Sequence, residues 1–160
     1  MGVRRRAGAP RRHGGRGAGL ILLHIVARGR IGQSPEAALV ARYLHRISWP
    51  TRVTELPDTG GKMPAIEPQA RRILLDEKGA GLGSVEIATL LGRWRDDGVR
   101  EARFLIGAAD GFDDAARGEA DLLLSFGRAT WPHLLARAML AEQLFRAVSI
   151  LANHPYHRDG

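Results

Sequence analysis

The sequence predicts an α/β protein with a mostly parallel sheet and flanking helices. Three observations predict it: short runs rich in leucine and β-branched residues, helical patterns between those runs, and Gly- or Pro-bearing loops at the junctions. Strands separated by helices form βαβ units, which force parallel pairing and right-handed crossovers. With 160 residues, 44% of them hydrophobic, the chain can bury one core, so residues 19–160 are expected to fold as a single domain.

Residues 1–18 hold six arginines and no acid, without apolar periodicity, and are expected to be a disordered basic extension. The net charge is +7, and these arginines account for all but one unit of it. The folded part is therefore nearly neutral, and any affinity for RNA must come from a local patch. A basic arm on phosphate and a start site set too far upstream both fit this composition. A secretory signal does not: its apolar region would be short, and no small-residue cleavage site follows.

Residues 19–27 (GLILLHIVA) read as a strand buried on both faces. Ser34 and Pro35 then supply a cap and a first-turn proline for a helix running to about Ile47, with Leu39, Tyr43 and Ile47 inward, which Trp49-Pro50 ends. Residues 52–56 form a short strand and residues 57–68 (PDTGGKMPAIEP) a loop, with Lys62, Arg71 and Arg72 placed to face phosphate or simply solvent. Residues 73–76 (ILLD) are the next buried strand. After EKGAGLG, Ser84 caps a helix whose Ile87, Leu90, Leu91 and Trp94 share one face, and Gly98 stops it. A strand over 102–106 leaves through GAADG, Asp113 or Asp114 caps a short helix to about Ala120, and residues 122–125 are the last strand. The final helix spans 133 to about 152, with Leu134, Ala138, Ala141, Phe145 and Val148 on one stripe and Asn153 as its left-handed terminator. Glu142 and Arg146, four apart on it, are expected to pair for structure.

In parallel sheets, ligands bind beyond the carboxyl ends of the strands, where loops and helix N-termini converge. Three loops qualify and should share one edge: 75–83, 107–111 and 126–132. None has the spacing of a pyrophosphate-binding loop, and no P-loop lysine motif occurs, so the edge suits a neutral or cationic ligand held by main-chain groups. No nucleophile elbow is present. There is no cysteine, which excludes disulfides and thiolate metal sites. His133, His154 and His157 lack partner carboxylates, so no metal is expected. The apolar runs are too short for a membrane span.

Six motifs in order, LLDEKG (74–79), LGRWRDDGV (91–99), IGAADG (106–111), SFGRATWPH (125–133), AEQLFRA (141–147) and NHPYHR (153–158), closely resemble the ribosomal RNA large-subunit methyltransferase H family, a branch of the SPOUT methyltransferases. The resemblance spans 20–160 and is strongest after Leu74. It implies a deep trefoil knot in the C-terminal half, a cytoplasmic homodimer, and methyl transfer from S-adenosylmethionine to N3 of a pseudouridine in large-subunit rRNA of the assembled ribosome, with no membrane, DNA or metal partner. Donor contacts carried over are Leu75, Gly107, Phe126, Gly127, Arg128, Ala129, Thr130 and Trp131. The tail residues His154, Tyr156, His157 and Arg158 are then expected to act in catalysis, the first two shaping or stacking and the last two contacting RNA. The chain departs from the family at Gly107-Ala108, where two glycines are usual, at Arg128-Ala129, where a small residue and methionine are usual, and in a short segment over 57–71. A non-catalytic RNA-binding module, or a SPOUT enzyme acting on tRNA, are the alternative readings.

Overall fold

The computed structural model describes residues 20–153. The basic extension over 1–18 and the tail residues His154, Tyr156, His157 and Arg158 lie outside this range. The order of elements is β1 (Leu22–Arg28), α1 (Pro35–Arg46), β2 (Thr51–Leu56), β3 (Ala70–Ala80), α2 (Ser84–Asp96), β4 (Glu101–Ile106), α3 (Asp114–Glu119), β5 (Leu122–Leu124) and α4 (His133–Leu151). The five strands form one parallel sheet in the order β2-β1-β4-β3-β5, as the alternation of strand and helix predicts.

One face of the sheet carries the main core. Leu23, Ile25 and Ala27 of β1, Ile73 of β3, Phe104 and Ile106 of β4 and Leu124 of β5 pack there with Ile87, Leu91 and Trp94 of α2 and Leu140, Leu144 and Val148 of α4. α1 covers the flank, and its Val40 meets Ala138 and Ala141 of α4. Alternation sends His24, Val26, Arg28, Arg72, Leu74, Arg103 and Leu105 to the opposite face, beneath the long 57–69 connection and α3.

The local signals explain most boundaries. Ser34 accepts the Ala37 amide proton at 3.2 Å and caps α1 ahead of Pro35. Asp113 does the same for α3 at Ala116. Gly98 (φ +85°) ends α2 and Asn153 (φ 57°) follows α4, both in the left-handed region the sequence assigns them. Three expectations need correction. Leu39 is 38% exposed, because Val40, Tyr43 and Leu44 form the inner face of α1. The cap of α2 is Gly83, whose amide donates to Glu86 at 2.7 Å, and Ser84 is the first helical residue. The strand read as 73–76 runs from Ala70 to Ala80, with a bulge between Leu75 and Ala80, since both pair with Leu124. Gly79 permits this second contact, as its Cα lies against the Leu123–Leu124 backbone.

α4 is buried on more than one stripe: Arg137, Leu140, Leu144, Ala147 and Ser149 are enclosed along with the predicted Ala138, Ala141, Phe145 and Val148. Leu134 is only half-buried. Arg137 anchors the helix to the ends of β1 and β2, donating to Glu55 and to the Gly29 carbonyl at 3.2 Å. Burial alone would raise the Glu55 pKa, but this guanidinium and the Ile31 amide hold it below the usual carboxylate value. Glu142 and Arg146 pair at i,i+4 as expected.

A buried polar cluster ties β1, β2 and β4 together. His24 bonds Glu101 through Nδ1 and Thr54 through Nε2, each at 2.7 Å. Arg103 donates to Glu101 at 2.8 Å and to the Pro64 and Ala65 carbonyls at 2.7 Å, so it also latches the 57–69 connection onto the sheet. Burial pushes the His24 pKa down more than Glu101 raises it, which assigns a neutral ring with Nδ1–H donating to Glu101 and Nε2 accepting from Thr54.

Candidate functional site

The carboxyl ends of β3, β4 and β5 open into a cleft of about 240 Å³. Three separate segments wall it: 75–78 from β3, 106–111 from β4 and 124–131 from β5, with His133 and Ala136 of α4 behind them. These are the three loops that the strand-end argument selects, and they do share one edge. Leu75, Gly107, Phe126, Gly127, Ala129, Thr130 and Trp131 all line the cleft; Arg128 is exposed and does not. An arginine at a loop tip sends its long side chain toward solvent, so any contact from this position falls to its neighbours' main chain.

Each segment is shaped by a local device. In the first, Asp76 is nearly buried and accepts from Arg117 of α3 at 2.7 Å and from the Lys78 amide at 2.9 Å, which turns the chain at the bulge. In the second, a methyl group at Gly107 would lie 3.3 Å from the Gly111 carbonyl oxygen and from the Phe112 ring, so glycine lets the loop fold tightly back on itself. Gly111 closes that turn at φ +75°. In the third, the Ser125 hydroxyl accepts from the Gly127 amide at 3.0 Å and donates to the Gly127 carbonyl at 2.8 Å. Its oxygen is buried and committed to the turn, which leaves it no role as a nucleophile. Gly127 has φ +111°, beyond the reach of most side chains. Thr130 donates to Glu77 at 3.1 Å, joining the first and third segments across the cleft. The Trp131 indole N–H donates to the Phe126 carbonyl at 3.3 Å, and its ring is 41% exposed at the rim.

The lining mixes main-chain groups and apolar walls (Leu75, Ile106, Leu124, Phe126) with the Asp76–Arg117 ion pair and with Lys78, which the carboxylates of Glu77 and Asp110 outnumber. Such a site favours a ligand with both an apolar body and positive charge over a phosphate. The sequence reading gave no role to Asp76, Glu77 or Lys78, and weighed His133 only as a metal ligand. The available signal was an aspartate at the end of a strand otherwise buried on both faces, a position where a carboxylate needs a partner.

Burial alone would raise the Asp76 pKa, but the Arg117 hydrogen bond, the Lys78 amide and the nearby positive charges hold it below its ordinary value of 3.8. A lowered folded-state pKa stabilises the fold fully above the unfolded value and loses that contribution as pH falls through the folded one. Asp76→Asn is therefore expected to lower the melting temperature at neutral pH, with the gap to the parent closing only below about pH 3.8. Thermal unfolding of both proteins across pH 2–7, in steps of about one unit, checks this.

Among the described residues no group of three or more His, Cys, Asp or Glu could hold a metal ion, and no helix is long and apolar enough to cross a membrane. A family model described as "Predicted SPOUT methyltransferase" matches residues 21–157. Curated relatives named ribosomal RNA large subunit methyltransferase H are similar over nearly their whole length. The protein of Rhizorhabdus wittichii is 71% identical over 140 residues, covering 88% of this chain and 100% of the relative. That of Novosphingobium aromaticivorans is 66% identical over 141 residues, with the same coverage. That of Paramagnetospirillum magneticum is 48% identical over 149 residues, covering 85% of this chain and 98% of the relative.

Proposed function

Because the chain belongs to the SPOUT methyltransferases, and among them to the ribosomal RNA large subunit methyltransferase H family, we propose that it methylates N3 of a pseudouridine in the large-subunit (23S) rRNA of the assembled ribosome, using S-adenosylmethionine. The observation that carries the reading is the convergence of 75–78, 106–111 and 124–131 on one cleft with an apolar wall and two carboxylates, Glu77 and Asp110, that pair with no arginine among the described residues.

When bound, S-adenosylmethionine supplies an electrophilic methyl on a sulfonium, whose sulfur leaves as a thioether. The chain's own task is positioning and charge. Gly107 and Gly127 allow close main-chain approach, Leu75, Ile106 and Phe126 exclude water, and Glu77 and Asp110 favour a cation in the cleft. The acceptor is an imide nitrogen that must lose its proton before it attacks the methyl carbon. His154 and Tyr156 shape or stack against the base, while His157 and Arg158 contact RNA, one of them assisting that proton loss. Truncation after Asn153 is accordingly expected to abolish methylation while leaving the melting temperature and donor affinity close to those of the full chain. Full activity in the truncated protein removes the tail from the mechanism.

A homodimer and a deep knot belong to the same reading. An apolar groove between α1 and α4, lined by Leu39, Tyr43, Leu82, Leu135 and Met139, ends at Phe126 and Gly127 of the donor cleft. A second copy seated there buries the exposed Leu39 and brings its own residues beside the cleft. The knot is inferred from family membership; in it, residues 125–130 are tied to 77–80 by the Ser125 amide on the Ala80 carbonyl at 2.9 Å and by the Thr130–Glu77 bond. Sedimentation is expected to give a dimer; an active monomer contradicts that part. Mass spectrometry of rRNA from a deletion strain tests the substrate: one methylated pseudouridine should be lost from the large subunit, and an unchanged rRNA with an altered tRNA moves the enzyme to another RNA. The protein is expected to work in the cytoplasm, where assembled ribosomes are.

A further inference from the structure

The face of the sheet opposite the main core carries a second cavity that methyl-donor binding leaves unused. Its floor is Val26, Leu74 and Leu105, from β1, β3 and β4, and its roof is Met63, Pro64 and Ile66 of the 57–69 connection. Phe112 stands at one end, and the volume is about 340 Å³. The roof is fixed rather than loosely draped. Arg28 donates to the Pro57 and Gly60 carbonyls at 2.8 and 2.7 Å, and Arg103 holds Pro64 and Ala65.

Both of those guanidinium groups are occupied by the fold. Arg72, half-buried in the same wall, is different: its main-chain amide donates to Asp121 at 2.8 Å, while its guanidinium makes no hydrogen bond or ion pair among the described residues. Asp113 and Glu119 also line the cavity, but Asp113 caps α3 and neither pairs with Arg72. Ile106 and Gly111 line this cavity and the donor cleft alike, so the two meet at the β4–α3 loop.

We propose that this cavity receives a nucleotide of the RNA substrate, its base between the sheet floor and the roof beside Phe112 and its phosphate on Arg72. The proposal rests on the RNA methyltransferase reading and adds a substrate subsite to it. An apolar floor and roof with an aromatic ring in the lining suit the flat face of a base taken out of its stack. An unpaired guanidinium at its wall suits a phosphate through two parallel N–H donors. The carboxylates of Asp113 and Glu119 disfavour a free anion that brings no base with it.

The test uses the full chain with large ribosomal subunits from cells lacking the modification. Arg72→Gln should raise KM for the subunits about tenfold and lower the slope of log KM against log salt by about one, as the loss of one phosphate contact requires. Donor affinity and melting temperature should not change, and Arg72→Lys should restore the salt slope, because the charge is kept, while recovering only part of the loss in KM, because the two parallel donors are not. If Arg72→Gln itself melts early, Met63→Glu, at a residue 40% exposed on the roof, should raise KM by repelling phosphate. Unchanged KM in these variants, or a raised KM with an unchanged salt slope, overturns the subsite while leaving the methyltransferase intact. A parent protein that binds no S-adenosylmethionine and methylates nothing overturns the underlying reading, and the subsite with it.

Discussion

Gly79→Ala should lose about 3 kcal/mol of stability, a fall in melting temperature of roughly 10 °C, together with at least a tenfold loss of donor affinity. A methyl group at this position would lie 2.5 Å from the carbonyl carbon and oxygen of Leu123 and 2.8 Å from the Leu124 amide nitrogen. All three are backbone atoms of β5, so no side chain can rotate away and the strand itself must shift. That shift breaks the Ala80–Leu124 pairing and moves the bulge that carries Asp76, Glu77 and Lys78 into the cleft. Gly81→Ala is the control. A methyl there meets nothing within 4 Å, so stability and donor affinity should stay near the parent's. Calorimetric melting and donor titration of the two variants side by side make the comparison; equal behaviour would show that the close approach at Gly79 has no energetic consequence.

Arg103→Leu should cost roughly 3–5 kcal/mol, the usual cost of removing one partner from a buried charge pair. The guanidinium satisfies Glu101 and the Pro64 and Ala65 carbonyls, while Glu101 in turn holds His24. Burial alone would raise the Glu101 pKa, and Arg103 and His24 hold it down, so its charge depends on the arginine. The substitution leaves a buried carboxylate and two carbonyls short of donors, and frees the 57–69 connection from one of its two latches. Denaturant unfolding should register the loss, and limited proteolysis should cut within 57–69 faster than in the parent. A variant that unfolds at the parent's midpoint would show that the cluster adds nothing to the fold.

The sheet and its order of elements were legible because β1, β4, β5 and the centre of β3 are largely apolar runs and because α1 and α3 carry their own side-chain caps, Ser34 and Asp113. The cleft was legible as three loops because parallel strands must deliver their carboxyl ends to one edge. The polar interior was not. His24 and Arg103 sit inside runs that read as apolar on both faces, and only the register of β1 against β4 brings His24 to Glu101 and Arg103. Nothing in β3 alone announces that Gly79 touches β5, because the contact is between residues more than forty positions apart. Leu39 misled for a related reason: helical spacing defines a stripe, and what faces that stripe depends on where α4 lies. Arg72 could be flagged only as a cation near a loop, and its guanidinium at a cavity wall, unpaired among the described residues, is a fact of three dimensions.

The central claim is that 75–78, 106–111 and 124–131 build a methyl-donor site. Calorimetric titration of the full chain with S-adenosylmethionine tests it most directly. Saturable binding at one site per chain, displaced by the demethylated thioether product, is the expected result. Absence of heat, with the protein folded and still able to bind ribosomal subunits, would contradict it and leave a non-catalytic RNA-binding module in its place.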